Sequence, residues 1–452
     1  LIRLSFLLAA GVCATPAWAQ SPSPTPPPER LFQDELDLQA SLNVVQGSGA
    51  RALGMGGAFL ARADDATAAS WNPAGLSYLR LPEASFVWLN NSISTRTRAT
   101  TGDVPQTRDD RSGRGPDFVA FAYPYDAGHI SGSAQISYQR VISFSSDRTI
   151  SDPDQTRTVE SSGGFDVIAF GTGLKLSRTL RAGLTVNHWF NGYEQEVVRG
   201  DREVPTVQKA DFDLSGWNYH FGLMWSPWDS LNLGGVVKSG LMTDVTLARS
   251  RRDTFPEPVA PNTQNPTANA YRREDLRLRL PGAFGVGASW RPRSNLTVSL
   301  DFTKTNWSEG RIFRFFTLQR TELGQYPGPV PSVPKDFFNT LPYPTLNDEN
   351  QQDTKQVRVG VEYVILRERF KWPIRAGYFS DEQFFRAENG SAPNFNGYTL
   401  GAGVIVGPLL FDVAYVYETG KYTSLDLDTP TSTSLKSHRV YASLIYRHQR
   451  KP

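Results

Sequence analysis

The chain has 452 residues, with 47 Lys plus Arg against 45 Asp plus Glu, so no charge imbalance draws it to nucleic acid or to an acidic surface. Aromatic residues make up 12% and hydrophobic residues 39%, mean hydropathy is negative, and beyond the first residues no apolar run approaches the roughly 18 of a spanning helix. A helical membrane protein is excluded. A soluble all-β protein or a transmembrane barrel remains, since the lipid-facing and lumen-facing residues of a barrel average to a polar composition.

Residues 1–19 read as a secretory signal: Arg3 precedes an apolar run over 4–12, and Ala17-Trp18-Ala19 supplies the small residues before Gln20. That run is too short to cross a bilayer. Cys13 falls within it, so the mature protein is expected to lack a thiol and any disulfide. Residues 20–30, QSPSPTPPPER, form a proline-rich tail that must be extended. The amphipathic Leu31, Phe32, Leu36 and Leu38 follow, and then a Gly-dense stretch over 47–79 that contains Ala63-Asp64-Asp65-Ala66 and ends in Asn72-Pro73-Ala74-Gly75. Its glycines permit close packing and positive φ, and Asn72 with Pro73 enforces a turn, which suits a compact plug better than a strand or a long helix.

From residue 81 onward about fourteen alternating segments of about ten residues follow, the length a tilted strand needs to cross hydrocarbon. In one of them Trp217, Tyr219, Phe221, Leu223 and Trp225 share a face, interleaved with Asn218, His220, Gly222 and Met224. That is period two. Tight links at 124–128, 177–180, 227–230, 291–295, 367–371 and 407–408 alternate with long ones such as 244–275 and 308–353. Bacterial outer-membrane barrels place short turns in the periplasm and long loops outside, and an even strand count returns the C-terminus to the periplasm. Two aromatic girdles are expected: Trp225, Trp228, Trp290 and Trp372 at the short-turn ends, and Trp189, Trp217 and Trp307 nearer the long loops.

The segment 47–79, with its Ala-Asp-Asp-Ala and Asn-Pro-Ala, resembles the N-terminal hatch of the FadL family, outer-membrane transporters of long-chain fatty acids and other hydrophobic compounds. The likeness extends to residues 280–287, LPGAFGVG, to 296–308 ending in Thr303 and Trp307-Ser308, to 374–378, and to the closing hairpin at 409–419 and 437–447. It implies a plugged antiparallel β-barrel of about 14 strands, all-β, with the hatch over 31–80 and the barrel over 81–452. In such a hatch Asp64, Asp65, Asn72, Pro73 and Ala74 are the characteristic residues. It also implies capture of an apolar molecule among the outer loops and sideways release beside a kinked third strand. Here that strand is expected over about 130–140, where Gly132 is either the kink or an ordinary barrel glycine packed against a neighbour. The proline-rich tail departs from the family, whose mature N-terminus itself reaches the ligand site.

Enzymatic readings fare poorly. His129, His188, His220, His438 and His448 show no metal-ligand spacing, and the Gly-x-Gly pairs at 171, 285 and 401 lack the third glycine and helix of a dinucleotide site. Neither a cofactor nor a metal is expected. The expected protein is a monomer in the outer membrane of a Gram-negative bacterium, in contact with its lipid and lipopolysaccharide, taking a hydrophobic small-molecule ligand and no nucleic acid. A second function class is open, that of the PorV-like relatives, which bind secreted proteins. For ligand capture the polar segments 196–211 and 244–275 offer little. Arg311, Phe313, Arg314, Phe315 and Phe316, with Phe337 and Phe338 in the same long link, could instead form an apolar patch with a carboxylate-pairing arginine. The alternative is that the ninth strand simply continues above the membrane.

Overall fold

The structure, a computed structural model, describes residues 47–99, 107–143, 146–151, 156–199, 206–254, 267–309, 311–320, 352–426 and 429–448. The signal, the proline-rich tail and residues 31–46 lie outside these, as do Phe337 and Phe338. Every strand pairs antiparallel with its neighbours, and the first pairs with the last from Glu83↔Arg447 to Ala99↔Thr431, so the sheet closes on itself.

Nineteen hydrogen-bonded segments make up fourteen wall strands, because five segments continue the one before after a short break. The first seven are β1 (Glu83–Ala99), β2 (Thr107–Ala127), β3 (Ile130–Ser143, then Ser146–Ser151), β4 (Thr156–Lys175), β5 (Leu180–Phe190, then Gly192–Arg199), β6 (Thr206–Trp228) and β7 (Leu231–Lys238, then Leu241–Thr254). The remainder are β8 (Thr267–Leu280, then Ala283–Arg293), β9 (Leu296–Thr305, then Arg311–Arg320), β10 (Thr354–Leu366), β11 (Lys371–Glu382), β12 (Asn394–Val406), β13 (Leu409–Asp426) and β14 (Thr429–Arg447).

The strand alternation runs opposite to that of a water-soluble fold. On β6, Trp217, Tyr219, Phe221, Leu223 and Trp225 are all about half exposed, whereas Asn218 and Met224 on the other face are buried. The same holds around the barrel: Phe121, Phe170, Val286 and Leu400 point out, and Asp301, Glu362, Arg375 and Asp412 are buried inside. A continuous apolar exterior has no stable partner in water, and hydrocarbon is the solvent it fits.

The tight links fall where the sequence puts them, and Trp225, Trp228, Trp290 and Trp372 are exposed at that rim. At the other rim only Trp217 of the three expected tryptophans faces outward. Trp189 pairs with Gly216, one step from His188↔Trp217, so period two turns it inward, and Trp307 sits in a short 3-10 turn, Trp307–Glu309, where it is buried. The long link over 244–275 is also shorter than expected. Pairing continues from Asp244↔Arg277 up to Thr254↔Thr267, so backbone hydrogen bonds carry these polar strands well past the apolar band.

Candidate functional site

Residues 47–79 lie inside the barrel and are tied to its wall by short contacts in most sectors. They form two helical turns, Ala50–Gly54 and Ala68–Trp71, and a 3-10 turn, Pro73–Tyr78. Asp65 Oδ1 accepts from the Thr67 amide at 2.9 Å and from its hydroxyl at 2.6 Å, closing a side-chain turn that starts the second helix. Asn72 ends it. Its Nδ2 donates to the carbonyls of Leu60 (2.9 Å), Leu223 (3.2 Å) and Gly235 (3.4 Å), and its Oδ1 accepts from the Ala74 amide at 3.1 Å. One side chain thereby joins the segment to β6 and β7 and caps the 3-10 turn that Pro73 begins.

Wall glycines make room for this turn. A Cβ on Gly222 would lie 2.0 Å from Asn72 Oδ1, and one on Gly183 would lie 2.2 Å from the Pro73 carbonyl carbon. Elsewhere backbone groups of the segment meet wall side chains. The Phe59 and Leu60 amides donate to Asp301 (2.6 and 2.8 Å), the Ala66 amide to Glu83 (3.0 Å), and Gln135 Nε2 to the Ala66 carbonyl (2.7 Å). The orphan polar groups of an irregular segment are thus satisfied without water.

A charge network holds the far side. Arg51 pairs with Asp64 (2.6 Å), Asp65 (3.3 Å) and Glu362 of β10 (3.3 Å), while Arg62 pairs with Asp64 and with Glu362 (3.1 Å). Arg375 of β11 bridges Glu362 (2.8 Å) to Asp412 of β13 (2.6 Å). Burial alone would raise the Asp64 carboxyl, yet Arg51 and Arg62 hold it below the usual carboxylate range.

On the long-loop side of the segment the lumen is apolar. Phe165, Trp189, Phe212, Leu241, Leu280 and Trp307 belong to one buried cluster on inward faces of β4 to β9, with Phe384 of the link after β11 stacked on Trp307 at 4.5 Å. Phe165 and Phe212 meet at 5.7 Å between ring centroids. The Trp189 indole donates to Asn218 Oδ1 at 2.9 Å. The wall of a water-filled channel is polar, and this cluster is not.

Next to this cluster the wall is irregular. Among the described residues the ladder between β2 and β3 spans Phe118↔Gln139 to Ala127↔Ile130. Above it, β2 is bulged at Asp117 against β1, with Val87↔Phe118 followed by Trp88↔Pro116, and Pro116 has no amide to offer. The third strand shifts register against β4 between Arg140 and Ile142. Gly132 does not: it pairs regularly with Tyr125 and Leu174, and a Cβ there would lie 2.2 Å from the Gly173 carbonyl oxygen, the signature of a tightly packed barrel glycine. The break continues sideways, for Arg140 forks onto Asp166 (2.8 and 3.0 Å), which also accepts from Tyr138 (3.0 Å) and Asn191 (2.8 Å). Asn191, at φ 75°, separates the two segments of β5.

The sequence-predicted residues therefore divide. Asp64, Asp65, Asn72, Pro73 and Ala74 come together in the lumen. Arg311, Phe313, Arg314, Phe315 and Phe316 lie in the upper segment of β9, paired with β8 from Tyr271↔Arg320 to Arg279↔Arg311, so the ninth strand does continue above the apolar band. The apolar lumen cluster was missed, because its members are scattered singly over six strands and each reads as an ordinary strand residue. The wall break had a signal in Pro116, Gly163-Gly164 and Asn191-Gly192.

Fold and lumen together define a transmembrane β-barrel filled by its own N-terminal segment, the FadL-type fold. A Pseudomonas aeruginosa FadL homologue superposes with a TM-score of 0.61 at 13% identity, over 89% of this chain and 99% of that one. The Ralstonia pickettii toluene transporter TbuX gives 0.55 at 15% (90% and 100%), and the P. putida toluene transporter TodX gives 0.57 at 12% (90% and 100%). The chain belongs to the BamG family, whose sequence profile matches residues 46–326. No curated protein matches it in sequence.

Proposed function

We propose that this protein is an outer-membrane importer of hydrophobic small molecules, acting as a monomer in a Gram-negative cell and carrying out no bond chemistry. The observation that carries this reading is the apolar lumen cluster lying between residues 47–79 and the interrupted β2–β3 ladder. The segment acts as the hatch. A ligand entering from the long-loop side meets Phe165, Phe212 and Trp307, finds the path to the periplasm filled, and leaves sideways above Phe118 and Gln139 into the bilayer. An apolar molecule thereby passes from the outer surface to lipid without entering water, which the hydrophobic effect favours. The solved transporters of toluene and the monoaromatic hydrocarbon channels of the same fold support ligands of that class, and long-chain fatty acids belong to the same range. Docking of a secreted protein is a second reading, favoured by the polar strands of β7 and β8 that stay paired beyond the apolar band.

The test is uptake by cells carrying Phe165→Ser with Phe212→Ser. Entry of labelled toluene or of a long-chain fatty acid at low concentration should fall about tenfold, the weight of losing roughly 1.4 kcal/mol of apolar contact. Heat-modifiable mobility should persist, showing the barrel assembled. Unchanged uptake would contradict the lumen route.

A further inference from the structure

A groove on the outside of the barrel is unrelated to the lumen. It crosses β11 to β14 and measures about 670 Å³, within the range of small-molecule sites. Ala376 and Gly377 form its floor, Tyr398, Leu400 and Tyr415 its sides, and Lys436 and His438 its head. β14 runs from the long-loop rim at Thr429 to the short-turn rim at Arg447, and its exposed apolar residues Val440, Leu444 and Tyr446 all lie on the short-turn side of the head.

The head is cationic and preorganised. Tyr415 Oη and His438 Nδ1 are 2.7 Å apart, which occupies that nitrogen and leaves Nε2 for another partner. Tyr417 packs on the same imidazole, with ring centroids 5.0 Å apart. One step further up, Ser434 is flanked in register by Arg96 of β1 and Lys421 of β13, and Lys436 lies on the same strand as Ser434. Arg96, Lys421 and Lys436 are exposed, and among the described residues none of the three has an acidic partner. Uncompensated cations at the edge of an apolar band call for an anion at the headgroup level.

We propose that this groove binds an acyl chain of a phosphorylated lipid of the outer leaflet, its phosphate held by Lys436, Lys421, Arg96 and His438. An apolar slot leading to a cluster of cations matches an amphiphile with charge at one end. Free phosphate would make no use of the slot, and a neutral lipid would leave the cations unpaired.

The full mature protein in mild detergent is titrated with diphosphoryl lipid A and with its dephosphorylated counterpart, and bound and free protein are counted by native mass spectrometry. The phosphorylated lipid should bind more tightly. Lys436→Ala and Lys421→Ala should each lower its bound-to-free ratio about fivefold, the weight of one cation against an anionic lipid. Ala376→Trp, which fills the floor, should weaken both lipids, while Leu184→Trp on the opposite wall should weaken neither. Heat-modifiable mobility of every variant shows that it has folded. Equal binding of the two lipids, wild-type binding by the lysine variants, or an equal effect of Leu184→Trp and Ala376→Trp would each overturn the assignment.

Discussion

Asn72 satisfies four backbone groups at once: the carbonyls of Leu60, Leu223 and Gly235 and the amide of Ala74. Asn72→Ala removes the partner of the Leu60 carbonyl and of the Ala74 amide, which lie outside any strand ladder, at a cost of about 1–3 kcal/mol each for any that water does not reach. The barrel should still assemble, and single barrels in a planar bilayer should show frequent openings that the wild type lacks. Asp64 gives a second residue-scale prediction. Its pKa is lowered in the folded state, so its ion pairs with Arg51 and Arg62 contribute fully above the ordinary carboxylate range and are lost as pH falls through the depressed value. The share of channel closure that these pairs supply should hold from neutrality down to about pH 4 and weaken only below it. Asp64→Asn should open the barrel at neutral pH and abolish the acid transition. The Asn-Pro-Ala turn was legible in the sequence because its chemistry is local, and the paired aspartates through the resemblance to the FadL hatch. The wall contacts of the segment, Glu362 with Arg51, Asp301 with the Phe59 amide and the Leu223 carbonyl with Asn72, were not, since each lies more than a hundred residues away and only the closed barrel brings it near.

At the scale of elements, the fit between the N-terminal segment and the strands rests on wall glycines at points of contact. Gly222→Ala places a methyl group 2.0 Å from Asn72 Oδ1, inside any tolerable contact. The turn must shift, so conductance should rise as for Asn72→Ala while strand content by circular dichroism stays unchanged. The alternating pattern of β6 or of β13 reads directly as a strand, because one face meets lipid and the other does not. The upper halves of β7, β8 and β9 read as loops instead. Both faces of those strands meet polar surroundings, so alternation vanishes while backbone pairing persists. The same blindness sorted Trp189 and Trp307 into a girdle when parity and a 3-10 turn send them inward.

For the whole molecule, alternating short and long links carried most of the architecture, and the count of about fourteen strands agrees with the closed sheet. The register was hidden, although Pro116 and the Gly163-Gly164 pair mark where pairing fails. A one-residue irregularity at Asp117 or at Arg140 leaves no mark on composition. Orientation is open to a direct check. A tag inserted at Asn262 should be reached by antibody on intact cells, and one at Arg293, which ends β8 at a tight turn, should not.

The central claim is sideways exit between β2 and β3, and a reversible bond across the seam tests it. Pro116 and Val141 each lie two residues beyond the last pair, Phe118↔Gln139, on the two sides of the seam, so a disulfide between Pro116→Cys and Val141→Cys, in a chain lacking Cys13, would close it. Oxidised cells should take up labelled hydrophobic ligand at the rate of cells without the protein, and reductant should restore uptake. Equal uptake in the oxidised and reduced states, with the disulfide confirmed by mass spectrometry, would contradict the account.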